Sequence, residues 1–197
     1  MSDEETVRVY DAKANDYVKL TDPDQDGDPN LAAFIADCGP QARVLDLGCG
    51  PGHAAAEMAR AGLIAIATDA SPEMVALASR HENVDARCAT FDDLAEVEAY
   101  DGVWASFSLL HAPRHKMAMH LAQIRRALRP GGVFHIGTKL GTGEARDNLG
   151  RFYTYYEADE LGRLLTAAGF TESSRSFGSS VGLDGVMADW IWIAARA

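Results

Sequence analysis

The stretch VLDLGCGPGH, residues 44–53, places three glycines within five residues, directly after an apolar run and directly before a helix-like one. No other feature constrains the fold as much. Glycines at the carboxyl end of a strand let the backbone turn sharply, approach a ligand closely and enter a helix. The alternation continues downstream. Short apolar runs begin at Ala42, Leu63, Val84, Tyr100 and Val133, and each reads as a buried strand. Between them, Leu31, Phe34, Ile35 and Cys38, and later Met117, Leu121, Ile124 and Leu128, recur at helical spacing. Ser71, Pro72 and Glu73 read as a capped helix start, and RPGG from Arg129 as a stop. A last helix is expected from Glu157, with Gly169 as its terminator. Two strand candidates follow, TESSRSFG and DWIWIAARA, expected to pair as a hairpin at the sheet edge. The expected class is α/β: a doubly wound sheet of seven strands, mostly parallel with an antiparallel C-terminal hairpin, and helices on both faces. Ligands bind such sheets at the carboxyl ends of the strands, where the glycines lie.

Composition removes several functions. The 197 residues carry 18 Lys and Arg against 29 Asp and Glu, a net charge of -11. Nucleic-acid binding rests on phosphate neutralisation by cations, so nucleic acid is not an expected partner. The basic run RRALR from Arg125 reads as a helix end, where cations suit the dipole. No apolar run reaches the length of a membrane span, and the N-terminal residues lack the pattern of a signal peptide, so a cytoplasmic protein with no membrane partner is expected. Cys38, Cys49 and Cys88 form no C-x-x-C pair, which argues against a disulfide framework or a structural zinc. His111, His115 and His120 approach a metal-ligand spacing, but Pro113 interrupts them and no acid or cysteine joins, so no metal is expected. The length suits one domain, residues 1–197, with a core over 31–197. Residues 1–30 and the loop 139–151 resist assignment to helix or strand, as functional segments often do.

The glycines and their acids can be read chemically. A phosphate-binding G-x-x-x-x-G-K-[ST] loop is absent, and the dinucleotide pattern G-x-G-x-x-G fails because His53 stands where its third glycine belongs. Asp46, just before the glycines, would repel a pyrophosphate but welcome an ammonium or sulfonium. Asp69, at the end of the second strand, is placed to take a pair of ribose hydroxyls. The expected guest has a ribose and a cationic part and lacks phosphates.

These residues resemble a known family. VLDLGCGPG is similar to motif I of the class I S-adenosylmethionine-dependent methyltransferases, and TDAS, YDGVWASFSLLH and LRPGGVFHIG match later motifs in order. The resemblance spans roughly Tyr10 to the C-terminus and implies a Rossmann-like fold. It further implies S-adenosyl-L-methionine as cofactor, S-adenosyl-L-homocysteine as product, and methyl transfer to a small molecule. Carried over by position, Gly48, Cys49, Gly50 and Gly52 lie under the methionine part, with Asp46 near its amino group. Asp69 takes the ribose, Ala70 and Met74 flank the adenine, and Ser106 lies beneath the methionine part. The sequence departs from the family after the third strand, where an acid for the adenine amino group is commonly found and Thr90 and Phe91 stand instead. Tyr10 and Tyr17 match aromatic positions in a segment that closes over the cofactor, or else pack an N-terminal helix.

On the acceptor side, His111 is either a general base or a structural histidine at a helix start. Lys139, Arg151 and Tyr155 are further candidates, facing a thiol, chalcogen oxyanion, carboxylate or amine. A weaker similarity to tellurite and thiol methyltransferases points the same way. Residues 1–30 and 139–151 are expected to be lids, with Tyr17 toward cofactor and Arg151 toward acceptor. A monomer or homodimer is expected. An NAD(P)-dependent oxidoreductase and a non-catalytic nucleoside-binding protein stay open as alternatives on the same fold.

Overall fold

Five parallel strands lie side by side because each apolar run is too short to bury itself and is followed by a helix that returns the chain to the same sheet end. A computed structural model describes residues 3–21 and 27–197. The elements are Glu4–Ala12 (α1), Ala14–Thr21 (α2), Pro29–Cys38 (α3), Arg43–Leu47 (β1), His53–Arg60 (α4), Ile64–Asp69 (β2), Pro72–Ala78 (α5), Val84–Cys88 (β3) and Tyr100–Ser106 (β4). They continue with Met117–Ala127 (α6), Leu128–Lys139 (β5), Glu144–Arg146 (β6), Phe152–Thr154 (β7), Ala158–Ala167 (α7), Thr171–Val181 (β8) and Met187–Arg196 (β9). The seven-stranded sheet runs β3-β2-β1-β4-β5-β9-β8. Its first five strands are parallel, and β9 is antiparallel to both β5 and β8. This is the doubly wound, Rossmann-like sheet expected, and its strand order reverses between β1 and β4, where such sheets open a crevice.

Side chains alternate across the sheet. Leu45, Leu47, Val103 and Phe134 pack with Leu121 of α6 and Leu161 of α7 on one face. Val44, Ala65, Trp104 and Trp192 pack with Phe34 of α3 and Met58 of α4 on the other. One detail departs from expectation and one goes beyond it. The run VDARC forms the sheet edge and is only partly covered, because no strand among the described residues pairs outside β3. The C-terminal pair is antiparallel as expected, but β9 lies inside it and the polar β8 takes the edge. Ile191 to Ala195 is apolar on both faces and needs cover on both; TESSRSFGSS does not.

The described residues of the two segments without a sequence assignment include regular elements. Residues 4–21 form two short helices; α1 starts where the Asp3 carboxylate accepts from the Thr6 amide at 2.9 Å. Their apolar stripes are too narrow to show in the sequence, since α1 buries only Thr6. Residues 1, 2 and 22–26 of the expected N-terminal lid lie outside the described residues. The loop 139–151 contains β6, which pairs with β7 through Arg146 and Phe152. Asp147 holds the intervening turn by accepting from the amides of Leu149 at 3.0 Å and Arg151 at 2.9 Å. The basic run behaves as a helix end: Arg125, Arg126 and Arg129 donate to the carbonyls of Gly169, Leu94 and Glu98. Among the described residues no helix is long and apolar enough to cross a membrane.

Candidate active site

The loop after β1 is tied to β2 by the amides of Gly48 and Cys49, which both donate to the Thr68 carbonyl at 2.8 and 2.9 Å. Its glycines serve different ends. Gly52 has φ +83°, and a Cβ there would lie 2.8 Å from the Ala78 backbone, so this glycine lets α4 and α5 meet. Gly50 has φ +53° and faces the Tyr17 ring, and its amide donates to Asp69 Oδ2 at 2.9 Å. The other carboxylate oxygen of Asp69 accepts from the Ser71 amide at 2.9 Å. Asp69 is thus oriented by two backbone donors, yet burial holds its carboxyl above the usual range. Asp46 is 2% exposed, and its Oδ2 has no partner among the described residues. Burial, with Asp69 nearby, pushes its carboxyl up to about 7.

A cavity lies over the carboxyl ends of β1, β2 and β4. Of the residues read as cofactor ligands, Tyr17, Gly48, Gly50, Asp69, Ala70, Met74, Thr90, Phe91 and Ser106 line it, and so does His111. A second cavity toward α3 and α4 is lined by Asp46 and Cys49 and shares Tyr17, Gly48, Gly50 and Ser106 with the first. Gly52 lines neither, because it is turned toward α5. Thr90 spends its hydroxyl on Asp93 Oδ2 at 2.7 Å, capping a short turn, and Phe91 rests edge-on against His120.

His111 sits in a chain of hydrogen bonds. Its Nδ1 lies 2.6 Å from the Phe152 carbonyl, which can only accept, so the proton is on Nδ1. Its Nε2 therefore accepts from the Tyr10 hydroxyl at 2.8 Å, and that hydroxyl accepts from Arg151 Nη1 at 3.1 Å. Burial pushes the imidazole down to about 4, so His111 is neutral at neutral pH. The other acceptor-side candidates are not in the wall. Arg151 is buried and ion-paired with Asp147 at 2.6 Å, Lys139 stands over the Tyr153 ring at 4.4 Å, and Tyr155 stacks on Tyr153. Arg151 was expected to face the acceptor; Asp147, four residues back on the same turn, claims its guanidinium. Among the described residues lining the first cavity there is no Lys or Arg, while Asp3, Asp69 and Asp92 contribute three carboxylates.

Sequence reading passed over several wall residues. Asp3, Thr6 and Val7 arrive with α1, and Phe107 with an unusual φ of +49°. Ser108 donates to the Leu47 carbonyl at 2.6 Å, closing β1 onto the turn after β4. Only the serines of ASFS, directly after a strand, carried any signal of this.

A profile of the family described as methyltransferase domain matches residues 44–132, from β1 through the start of β5. The match supports a class I S-adenosylmethionine-dependent methyltransferase domain over these residues. The chain is 38% identical over 109 residues to a ubiquinone biosynthesis O-methyltransferase of Xanthomonas campestris, covering 50% of this chain and 44% of the relative. The chain thus spans about half the length of the curated relatives it matches. Over 96% of this chain and 87% of the other, it resembles a Burkholderia thailandensis 1,6-didemethyltoxoflavin-N1-methyltransferase at 27% identity and a TM-score of 0.78. That structure holds 1,6-didemethyltoxoflavin and S-adenosylhomocysteine. A methyltransferase of Methanosarcina mazei shares the fold, with a TM-score of 0.74 at 17% identity over 86% of this chain and 97% of that one.

Proposed function

We propose that this protein transfers a methyl group from S-adenosylmethionine to a small, uncharged acceptor bearing an O–H or N–H group. The observation that carries the reading is the placement of two buried carboxylates at either side of one glycine loop. Asp69 is oriented by the Gly50 and Ser71 amides, and Asp46 has an unpartnered oxygen in the adjoining cavity. A diol-bearing sugar suits the first and a cation the second. A pyrophosphate suits neither, which weighs against the nicotinamide oxidoreductase.

When bound, the cofactor supplies an already activated methyl group, so the protein's task is positioning and exclusion of water. Asp69 would hold the ribose, Asp46 the ammonium, and Ala70, Met74 and Phe91 the adenine. The acceptor would occupy the end of the first cavity beside Tyr10 and His111. Tyr10 donates to His111 and presents its remaining lone pair, which suits an acceptor that itself donates; as that acceptor takes up the methyl, its proton would pass to the Tyr10 oxygen while Tyr10's own passes to His111 Nε2. The wall's carboxylates and absent cations favour a neutral acceptor over an oxyanion or carboxylate. The relatives named above are an O- and an N1-methyltransferase, in keeping with an oxygen or nitrogen acceptor. The helices α1 and α2 and the β6–β7 ribbon act as the cover that keeps water out.

The test is methyl transfer from labelled cofactor to a panel of catechols, phenols, N-heterocycles, thiols and oxyanions, beside calorimetry with S-adenosylhomocysteine. Turnover confined to the hydroxyl and ring-nitrogen acceptors is expected. Turnover of oxyanions alone would refute the acceptor class, and absence of S-adenosylhomocysteine binding would refute the cofactor.

A further inference from the structure

One side chain in the second cavity has no role in the reading so far. Trp104 of β4 is 1% exposed, and among the described residues its indole Nε1 has no hydrogen-bond partner. A buried N–H left unpaired is costly, so its retention calls for something that bonds to it. Trp104 pairs in register with Asp46 across β1 and β4, which sets both side chains on the same face of the sheet, and both line the second cavity. Among the described residues, Asp46 Oδ2 is a buried acceptor and Trp104 Nε1 a buried donor, each without a partner. They are not bonded to each other. The pair therefore awaits a group that donates at one point and accepts at a neighbouring one, which is the pattern of an ammonium carboxylate.

We infer that Trp104, through its indole N–H, binds the carboxylate of the cofactor's amino-acid end while Asp46 binds the adjacent ammonium. This rests on the cofactor assigned above. Among the described residues lining this cavity there is no Lys or Arg, so a carboxylate must find neutral donors: the indole, and the first turn of α4 at His53 and Ala54. The indole is held in place for the task. It stacks on Trp192 at 4.4 Å between ring centres and meets Phe34 and His135 on its other sides. In the sequence this tryptophan is one more apolar residue in a buried strand, and only the register exposes it as a donor beside Asp46.

The experiment uses three ligands and no acceptor. S-adenosylhomocysteine carries the full amino-acid end. 5′-Deoxy-5′-(3-aminopropylthio)adenosine keeps the ammonium and lacks the carboxylate, and 5′-methylthioadenosine lacks both. By calorimetry, removing the carboxylate should weaken binding to the wild-type protein by about 10- to 100-fold, the range of a hydrogen bond to a charged group. Trp104→Phe should bind S-adenosylhomocysteine weaker by the same factor and bind the two truncated ligands as the wild type does. Indole 15N resonances give an independent readout on the unaltered chain, which has three tryptophans. The Trp104 N–H should move downfield with S-adenosylhomocysteine and stay in place with the aminopropyl analogue, whether or not the variant folds. Equal affinity of wild type and Trp104→Phe for S-adenosylhomocysteine, an equal loss for all three ligands, or an indole shift common to all three would overturn the assignment. If the wild type fails to bind S-adenosylhomocysteine at all, the cofactor itself is wrong, and the carboxylate receptor falls with it.

Discussion

Arg146 and Asp3, 143 positions apart, form a two-point ion pair in which the guanidinium donates to both carboxylate oxygens at 2.9 and 2.8 Å. Arg146 also reaches Glu5 at 3.3 Å, and the Phe152 amide donates to the Thr6 hydroxyl at 2.8 Å. The first helix is thereby fastened to the β6–β7 ribbon, directly beside the end of the cavity where Tyr10 and His111 meet.

Because this fastening is exposed, Arg146→Ala should barely move the thermal midpoint. It should instead speed amide exchange throughout Glu4–Ala12, and the same loss should appear in the wild type at high salt. Arg146 holds the Asp3 carboxyl far below the usual carboxylate range. A depressed carboxylate keeps its contribution above its unfolded pKa and loses it only as pH falls through the folded one. Exchange rates in α1, corrected for intrinsic pH dependence, should then be flat from pH 8 to 5. A rise within that window would show that Arg146 is not what holds the helix.

His111 gives the opposite pH signature. Burial lowers its folded pKa to about 4. Below about 6.5 the unfolded chain takes up a proton that the folded chain refuses, so stability is full above that pH and declines toward 4. The stability advantage of wild type over His111→Gln should shrink by about 2 kcal/mol between pH 7.5 and pH 5, read from urea unfolding. An advantage that stays constant would mean the imidazole is solvated and the Tyr10 bond is not formed.

Asp46 is retained at a cost to the unliganded fold. Its folded pKa, raised to about 7, means that ionisation is penalised increasingly as pH rises from about 4 to 7. Asp46→Asn should therefore raise the unliganded thermal midpoint at pH 8 by several degrees and by much less at pH 4.5. The same variant should lose S-adenosylhomocysteine affinity by 10-fold or more, on the order of a charge-assisted hydrogen bond. Unchanged affinity would remove Asp46 from the cofactor site.

The glycines should separate stability from binding. Gly52→Ala forces a Cβ to 2.8 Å from the Ala78 backbone at φ +83°, and is expected to cost about 3 kcal/mol or more of stability. Gly50→Ala meets only the Tyr17 ring at 3.3 Å, so about 1 to 2 kcal/mol from the left-handed backbone is expected, together with loss of ligand binding. Denaturation and calorimetry on both variants check this, and a Gly50→Ala protein that binds normally would show that no ligand approaches that backbone.

Local chemistry was enough to read the alternation of strands and helices, the antiparallel end and the loop with Asp46 and Asp69 from the chain alone. Each of those features is encoded by neighbours: apolar runs of strand length, a capped helix start at Ser71, glycines within five residues. What the tertiary structure decided depends on residues far apart. The order β9 inside β8 follows from which strand needs cover on both faces. The cations of the 139–151 segment face away from the cavity because Asp147, Asp3 and the Tyr153 ring claim them, and no sequence window contains those three partners together. The helices before residue 22 owe their order to packing and to the Arg146 pair rather than to an apolar stripe of their own. Trp104 reads as core from its neighbours, since a buried strand is apolar on both faces. Its hydrogen-bonding role beside Asp46 exists only once β4 is laid against β1 in register.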